Sequence, residues 1–135
     1  AIEVGDIGQA LDFYGGFLDF AVDERTDDMA IIYFGDQFIN FIRNADRRPD
    51  AMRHFGIAVD DKPLVRKTLE SMGVRLLDGR FLDFLDPWGN RVEITTYANI
   101  QYTKAEDVLR GMGLGQLKKS EAALAELRAK GMAPQ

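Results

Sequence analysis

The stretch FLDFLDPWGNRVEI, residues 81–94, reads as two short strands joined by a tight turn. Leu82 and Phe84 share one face of the first strand, and Val92 and Ile94 share one face of the second. The turn itself is DPWG, residues 86–89, in which the proline presets the bend and the glycine tolerates a positive φ angle. This stretch therefore predicts a β-hairpin with one apolar face packed in a core.

The hairpin closes the second of two similar units in the chain. Residues 54–61 predict a strand, 62–73 a helix, and 74–79, 80–87 and 90–97 three more strands. The same order occurs earlier: a strand at 1–6, a helix within 6–20 and strands at 20–24, 29–36 and 37–43. Val59 corresponds to Val4, 55 positions earlier, and Glu93 to Asn40, 53 positions earlier. The sequence thus predicts an α+β fold of two tandem β-α-β-β-β modules, joined by a polar connector at 44–53.

A tail follows the second module, over residues 98–135. Thr103 and Glu106 have the spacing of a capping box at the start of one helix, and residues 120–131 predict a second helix that begins near Ser120. We expect these helices to cover a sheet edge or to pack on a second subunit. A lid over a binding site is the alternative.

Composition limits the classes of function. The 135 residues carry a net charge of −5 and no basic cluster, which argues against a nucleic-acid partner. Cysteine is absent, so disulfides and thiolate chemistry are excluded, and a cytoplasmic location is expected. No apolar run approaches about 18 residues and no signal-like segment opens the chain, so we expect no membrane partner.

The only histidine, His54, lies on the strand at 54–61. Strand alternation places it on the face opposite the bulky side chains, together with the small residues Gly56 and Ala58. Glu93 has the same orientation on the last strand of the module. An imidazole and a carboxylate that converge in a cleft suit a divalent metal ion or an acid/base pair. A structural histidine and a solvated glutamate are the alternative interpretation.

Three segments together resemble the vicinal oxygen chelate superfamily, which includes glyoxalase I, bleomycin-resistance proteins, fosfomycin-resistance enzymes and extradiol dioxygenases. They are DFYGGFLDF at 12–20, HFGIAVDD at 54–61 and the hairpin at 81–94. The resemblance covers about residues 1–97. It implies a cup-shaped mixed sheet built from module one (1–43) and module two (54–97), with the helical extension at 98–135 outside the cup.

The resemblance also implies a metal site, with ligands on the first and fourth strands of each module. His54 and Glu93 match ligand types of the family. Asn40 falls where glyoxalase-type members usually have glutamate, and the counterpart of His54 in module one falls two residues before Ala1. A histidine there would complete the two-histidine, one-glutamate triad of dioxygenase and fosfomycin-type relatives. The ion implied is Zn, Ni, Mn or Fe(II).

The remaining site residues are expected around this pair. Asp83 is a catalytic candidate beside Glu93, either orienting a substrate or accepting a hydrogen bond from His54. Glu3, on the opening strand, would be a pocket carboxylate or a solvated edge residue. Three more side chains are expected to form pocket walls: Phe38, Asn40 and Phe81.

Two classes of function fit these expectations. The first is a metal-dependent enzyme acting on a small molecule with neighbouring oxygens, either a glyoxalase-type lyase or isomerase or, with Fe(II), an extradiol-type dioxygenase. The alternative is a metal-free or weakly metal-binding protein that sequesters a small molecule, as bleomycin-resistance relatives do. A purely structural module is a third interpretation. The resemblance also implies a homodimer.

Overall fold

A computed structural model describes residues 1–100 and 102–133 of the chain. Its strands and helices follow in the order β1 (Ile2–Val4), α1 (Ile7–Gly15), β2 (Ala21–Arg25), β3 (Met29–Phe34), β4 (Gln37–Arg43), β5 (Asp50–Val59), α2 (Lys62–Ser71), β6 (Leu82–Leu85), β7 (Asn90–Thr96), α3 (Glu106–Gly111) and α4 (Glu121–Ala129). The predicted extension over 98–135 includes residues 101, 134 and 135, which lie outside the described residues. The division into modules and extension stays a prediction.

The strands form two sheets with matching topology. The first sheet has the order β1-β4-β3-β2, and the second has the order β5-β7-β6. In each, the first strand pairs in parallel with the last, Ile2 opposite Phe41 in one sheet and Ile57 opposite Ile94 in the other. These pairs reproduce the offsets of 55 and 53 positions found in the sequence. The predicted α+β class and the repeat are confirmed.

The predicted strand at 74–79 is wrong. Only Leu76 forms a β-bridge there, with Phe84, and the N–H of Leu77 donates to the carbonyl of Asp83 at 2.7 Å. The chain then turns through Gly79, whose φ of 151° suits glycine, so pairing stops after one bridge. The second sheet therefore has three strands where four were expected.

The predicted connector at 44–53 also ends too late, because β5 begins at Asp50. Asp50 pairs with Asn90, and its carboxylate accepts the N–H groups of Met52 and Arg53 at 3.0 Å. The pairing register shifts there and resumes at His54. A carboxylate that binds its own backbone thus extends the strand by a bulge, which a polar, proline-containing stretch did not suggest.

One core joins the two sheets. Tyr14 of α1 lies 5.0 Å from the Phe41 ring of the first sheet, and Phe17 lies 5.5 Å from the Phe84 ring of the second, measured between ring centroids. The buried residues of β4, β5, β6 and β7 belong to the same cluster as those of α1 and α2: Ile39, Phe41, Ile57, Leu82, Phe84, Val92 and Ile94. The opposite face of each sheet, which carries the candidate site residues, therefore points away from this core.

The turn at 86–89 is an anchor of that core rather than a surface loop. Asp86 is buried, and its carboxylate accepts from the Tyr14 hydroxyl at 3.0 Å and from the Asn90 side chain at 2.7 Å. Trp88, the third residue of the turn, is also buried. A Cβ at Gly5 would lie 2.7 Å from its indole nitrogen, so the tryptophan packs directly against the β1–α1 junction.

The extension packs on the ends of both modules. The Lys104 ammonium pairs with Asp36 of module one, and the Lys119 ammonium donates to the Tyr97 carbonyl of module two at 2.5 Å. Ser120 caps α4 as predicted, but the capping box at α3 is wrong, because Ala105 is the N-cap and makes no side-chain bond. The Thr103 hydroxyl lies 3.2 Å from the Tyr97 hydroxyl instead. Of the helices in the described ranges, none combines the length and apolar character needed to cross a bilayer.

Candidate functional site

His54 and Glu93 meet on the outward face of the second sheet. Their strands β5 and β7 are neighbours, with Glu93 opposite Gly56 in the register. The His54 Nε2 atom lies 3.6 Å from Glu93 Oε2, and the two side chains are 42% and 23% exposed. The pair therefore shares one face, as the alternation of side chains predicts, and remains open to a ligand.

The spacing of this pair fits a shared metal ion. Two ligand atoms that each lie about 2.1 Å from a tetrahedral ion are about 3.4 Å apart. The observed 3.6 Å is close to that separation and too long for a good hydrogen bond between the two groups. The backbone also leaves room above the face, since a Cβ at Gly56 would meet only the Glu93 carbonyl oxygen, at 4.0 Å.

Two protein ligands are fewer than a stable site needs. Among the described residues no group of three or more His, Cys, Asp or Glu side chains could hold a metal ion. Structural and catalytic zinc sites have three or four protein ligands. The pair therefore fits as part of a metal site, and the remaining ligands have to come from water, from a substrate or from outside the described residues.

Asp83 forms an ion pair with Arg91 on the same face. The Arg91 Nε donates to Asp83 Oδ2 at 2.8 Å, and one terminal nitrogen of the guanidinium binds the same oxygen. The Asp83 side chain is 5% exposed and that of Arg91 is 30% exposed. The carboxylate thus orients Arg91 and has no hydrogen bond with His54 within the described residues. Its other oxygen, Oδ1, is buried and accepts no hydrogen bond there.

Removing one member of this ion pair should lower the free energy of unfolding more than removing both members. We expect Arg91→Met to lower the free energy of unfolding by about 3 kcal/mol, because it leaves a carboxylate buried without its cation. The double variant Arg91→Met/Asp83→Leu should recover most of that loss, because no uncompensated charge remains. Urea unfolding followed by circular dichroism measures both values. A double variant at least as unstable as Arg91→Met would contradict this account.

The pocket candidates of the first module lie on the outward face of the first sheet. Phe38 is 65% exposed and stacks at a tilt on Tyr33, with ring centroids 5.8 Å apart. Asn40 is half-buried, and its Oδ1 is a buried acceptor without a hydrogen bond in the described part of the chain. Glu3 is exposed on β1. The face therefore offers one apolar patch, while the unused amide oxygen of Asn40 is not exposed to solvent.

Phe81 is 51% exposed at the start of β6, where the Arg80 guanidinium lies over its ring. Two cavities are well defined in the described part of the chain, with volumes of about 910 and 520 Å³. Neither is lined by any of the site residues predicted from the sequence: Glu3, Phe38, Asn40, His54, Phe81, Asp83 and Glu93. The structure brings His54, Asp83 and Glu93 together on the second sheet and leaves Glu3, Phe38 and Asn40 on the first.

The sequence model of the Glyoxalase/Bleomycin resistance protein/Dioxygenase superfamily matches residues 1–94. The chain belongs to this superfamily. The match includes both members of the His54–Glu93 pair and ends before the helical extension. A search of curated proteins gave no significant match.

Solved structures of the superfamily share the fold at low sequence identity. A bleomycin resistance determinant encoded on the transposon Tn5 is 15% identical, with a TM-score of 0.59 over 71% of this chain and 93% of that one. The fosfomycin resistance protein FosX from Listeria monocytogenes is 11% identical, with a TM-score of 0.61 over 70% and 87%. A lactoylglutathione lyase from Agrobacterium tumefaciens is 18% identical, with a TM-score of 0.57 over 71% and 89%. These similarities establish the fold alone.

Arg91 is the site residue that the sequence did not single out. Its parity placed it on the same face as Glu93, and the register now puts it opposite His54. The sequence did contain a signal for it. Asp83 lies between the core residues Leu82 and Phe84, and a buried carboxylate requires a cationic partner, here on the neighbouring strand.

Proposed function

We propose that this protein is a divalent-metal-dependent enzyme that acts on a small molecule with neighbouring oxygen atoms. The observation that carries the proposal is the 3.6 Å separation of His54 Nε2 and Glu93 Oε2 on an open sheet face. Family membership supports it, because the superfamily includes glyoxalases and dioxygenases by name. The activity is of the lyase or isomerase type with Zn, Ni or Mn, and of the dioxygenase type with Fe(II).

His54 and Glu93 would hold the ion through the imidazole Nε2 and the carboxylate. A bound divalent ion supplies Lewis-acid stabilisation of negative charge that develops on the substrate oxygens. Glu93 has a second role as proton acceptor for a substrate carbon held beside it, since it is the ionisable oxygen donor of the pair. Both roles require the carboxylate to be partly exposed, and it is 23% exposed.

Arg91 would contact the same substrate as the His54–Glu93 pair, and Asp83 would hold Arg91 in place. Asp83 fixes the guanidinium beside His54, so that it can bind an oxygen of the substrate with a defined geometry. The ion pair also cancels the charge of Asp83. An unpaired Asp83 beside Glu93 would favour a cation, whereas the guanidinium of the ion pair offers hydrogen-bond donors to an oxygen of the substrate.

A homodimer would close the open face. Tyr33, Phe38 and Ile42 are 44%, 65% and 41% exposed on the outward face of the first sheet, and such an apolar patch is typical of an interface. Covering it with the second sheet of another copy would bring Phe38 and Asn40 of one chain over the His54–Glu93 pair of the other, beside that chain's own Phe81. The proposed site is then a cup formed by two chains.

The alternative, a metal-free binding protein, predicts a different result in one experiment. Protein purified without chelators is analysed for bound metal by plasma mass spectrometry, and its mass in solution is measured by light scattering. The enzyme proposal predicts close to one divalent ion per chain and a dimer. A dimer without metal that also fails to bind added Zn²⁺, Ni²⁺, Mn²⁺ or Fe²⁺ would favour the binding protein and overturn the enzyme proposal.

A further inference from the structure

The larger of the two cavities described above lies away from the His54–Glu93 pair, between the two modules and the helical extension. Its volume is about 910 Å³, within the range of small-molecule sites. The walls come from the end of α1, the β3–β4 turn, the junction of β5 and α2, and residues 102–117 of the extension. The superfamily match ends at residue 94, so the wall formed by Tyr97 and residues 102–117 lies outside the matched region.

The lining of the cavity mixes polar and apolar groups. Its larger apolar side chains include Phe17, Leu18, Phe34, Val65, Leu109 and Met112. Polar groups at the junction of the modules are already paired, since the Gln37 amide donates to the Ala58 carbonyl at 2.8 Å and accepts from its N–H at 3.0 Å. A ligand in this cavity therefore meets hydrocarbon and aromatic surface together with polar groups.

The mouth of the cavity is acidic. Four carboxylates line it, from Asp19, Asp36, Asp60 and Asp61, and all four residues are exposed. Among the described lining residues the cation is Lys104, which is paired with Asp36. The Lys119 ammonium lies nearby, 4.0 Å from the ring centre of the lining residue Tyr97. Asp61 accepts the Leu64 N–H as the cap of α2.

Within the described ranges, Asp19 and Asp60 have no cationic partner, so the mouth retains an excess of negative charge. That excess lies at the edge of the cavity. A ligand would place its apolar part inside and keep its charged group at the mouth, in contact with water. Carboxylates in this arrangement attract a cation and repel an anion of the same shape.

We propose that this cavity is a second binding site, which takes an organic cation with an apolar body. The body occupies the space between Phe17, Phe34 and Met112, and the cationic group lies at the mouth beside Asp19 and Asp60. An apolar amine satisfies both requirements, since burial of its hydrocarbon supplies affinity and the carboxylates supply selectivity for its charge. The proposal is independent of the metal site, because the two sites share no lining residue.

A matched pair of fluorescent probes tests the site: 9-aminoacridine, a cation at neutral pH, and acridine-9-carboxylate, an anion with the same ring system. Fluorescence anisotropy is followed while the full chain is titrated into each probe. We expect the cation to bind about tenfold tighter than the anion. Asp19→Asn/Asp60→Asn should weaken binding of the cation about fivefold or more, because both carboxylates at the mouth lose their charge without a change in shape.

Two controls make the result specific. Asp23→Asn/Asp46→Asn removes the same number of charges from exposed positions outside the cavity and should leave the affinity for the cation within about twofold. His54→Ala/Glu93→Gln should leave it unchanged as well. Equal affinity for the two probes, no binding of the cation, or a loss on changing His54 and Glu93 instead of Asp19 and Asp60 would each overturn the proposal.

Discussion

Alanine in place of His54 is expected to lower the affinity of the protein for Zn²⁺ or Ni²⁺ by about 100-fold or more, because it removes one of two protein ligands. Glu93→Gln should have a similar effect, since a neutral amide replaces the only charged donor of the pair. The double variant should lose little more than either single variant, because one remaining ligand cannot hold the ion. Isothermal titration calorimetry with each ion measures these affinities.

The stability of these variants distinguishes a ligand from a structural residue. His54 is 42% exposed and makes no hydrogen bond with Glu93, so His54→Ala should change the free energy of unfolding by less than about 1 kcal/mol in the absence of metal. Asp23→Asn, an exposed carboxylate on β2, serves as the control and should leave metal affinity unchanged. Unaltered metal affinity in both His54→Ala and Glu93→Gln would show that this pair binds no ion.

Asp86→Ala is expected to lower the free energy of unfolding by about 3 to 4 kcal/mol, more than any other single change in the chain. The Asp86 carboxylate accepts the Tyr14 hydroxyl, the backbone N–H groups of Trp88 and Asn90 at 2.9 and 2.8 Å, and the Asn90 side chain. Alanine would leave these donors without an acceptor inside the core. Chemical denaturation monitored by the fluorescence of the single tryptophan, Trp88, measures the loss.

Two further variants separate the contributions within this network. Tyr14→Phe removes one donor and should cost about 1 to 2 kcal/mol, since burial and the neighbouring Asp86 charge raise the pKa of the Tyr14 phenol and keep it a donor. Asp46→Ala, at an exposed position, should change stability by less than about 0.5 kcal/mol. If Asp86→Ala were no more harmful than Asp46→Ala, the turn would not anchor the two modules.

Alternation of side chains was enough to predict much of the fold and the central pair. Val92, Ile94, Leu82 and Phe84 pack in the core as expected, and the opposite parity brings His54 and Glu93 together. The odd or even position of a residue along its strand carries this information, because residues paired across neighbouring strands point to the same face of the sheet. The repeat supplied the register, which no single strand could have specified.

The sequence was less informative where side chains bind their own backbone or where the two modules meet. The bulge at Asp50 and the absence of a capping box at Thr103 both depend on which hydrogen-bond partner a short polar side chain takes. Several such partners lie within reach of each side chain, and the sequence does not distinguish them. The orientation of the two sheets was a larger omission. Strand patterns show which face is apolar, but not that both apolar faces pack on one core and leave both polar faces outward.

The cavity beside the extension could not be predicted from the sequence, for a similar reason. Its walls come from residues 15–19, 34–37, 58–68, 97 and 102–117, which are far apart in the chain and share no motif. Its acidic mouth is likewise divided among three loops, so that no run of like charge marks it in the sequence. Only the packing of the extension against both modules brings these segments together.

Anomalous diffraction from a crystal grown with Mn²⁺ or Zn²⁺ tests the metal site most directly. We predict one strong peak per chain, within about 2.3 Å of both His54 Nε2 and a carboxylate oxygen of Glu93. A map that shows these two side chains ordered in the saturated crystal, with no peak between them, would contradict the central claim.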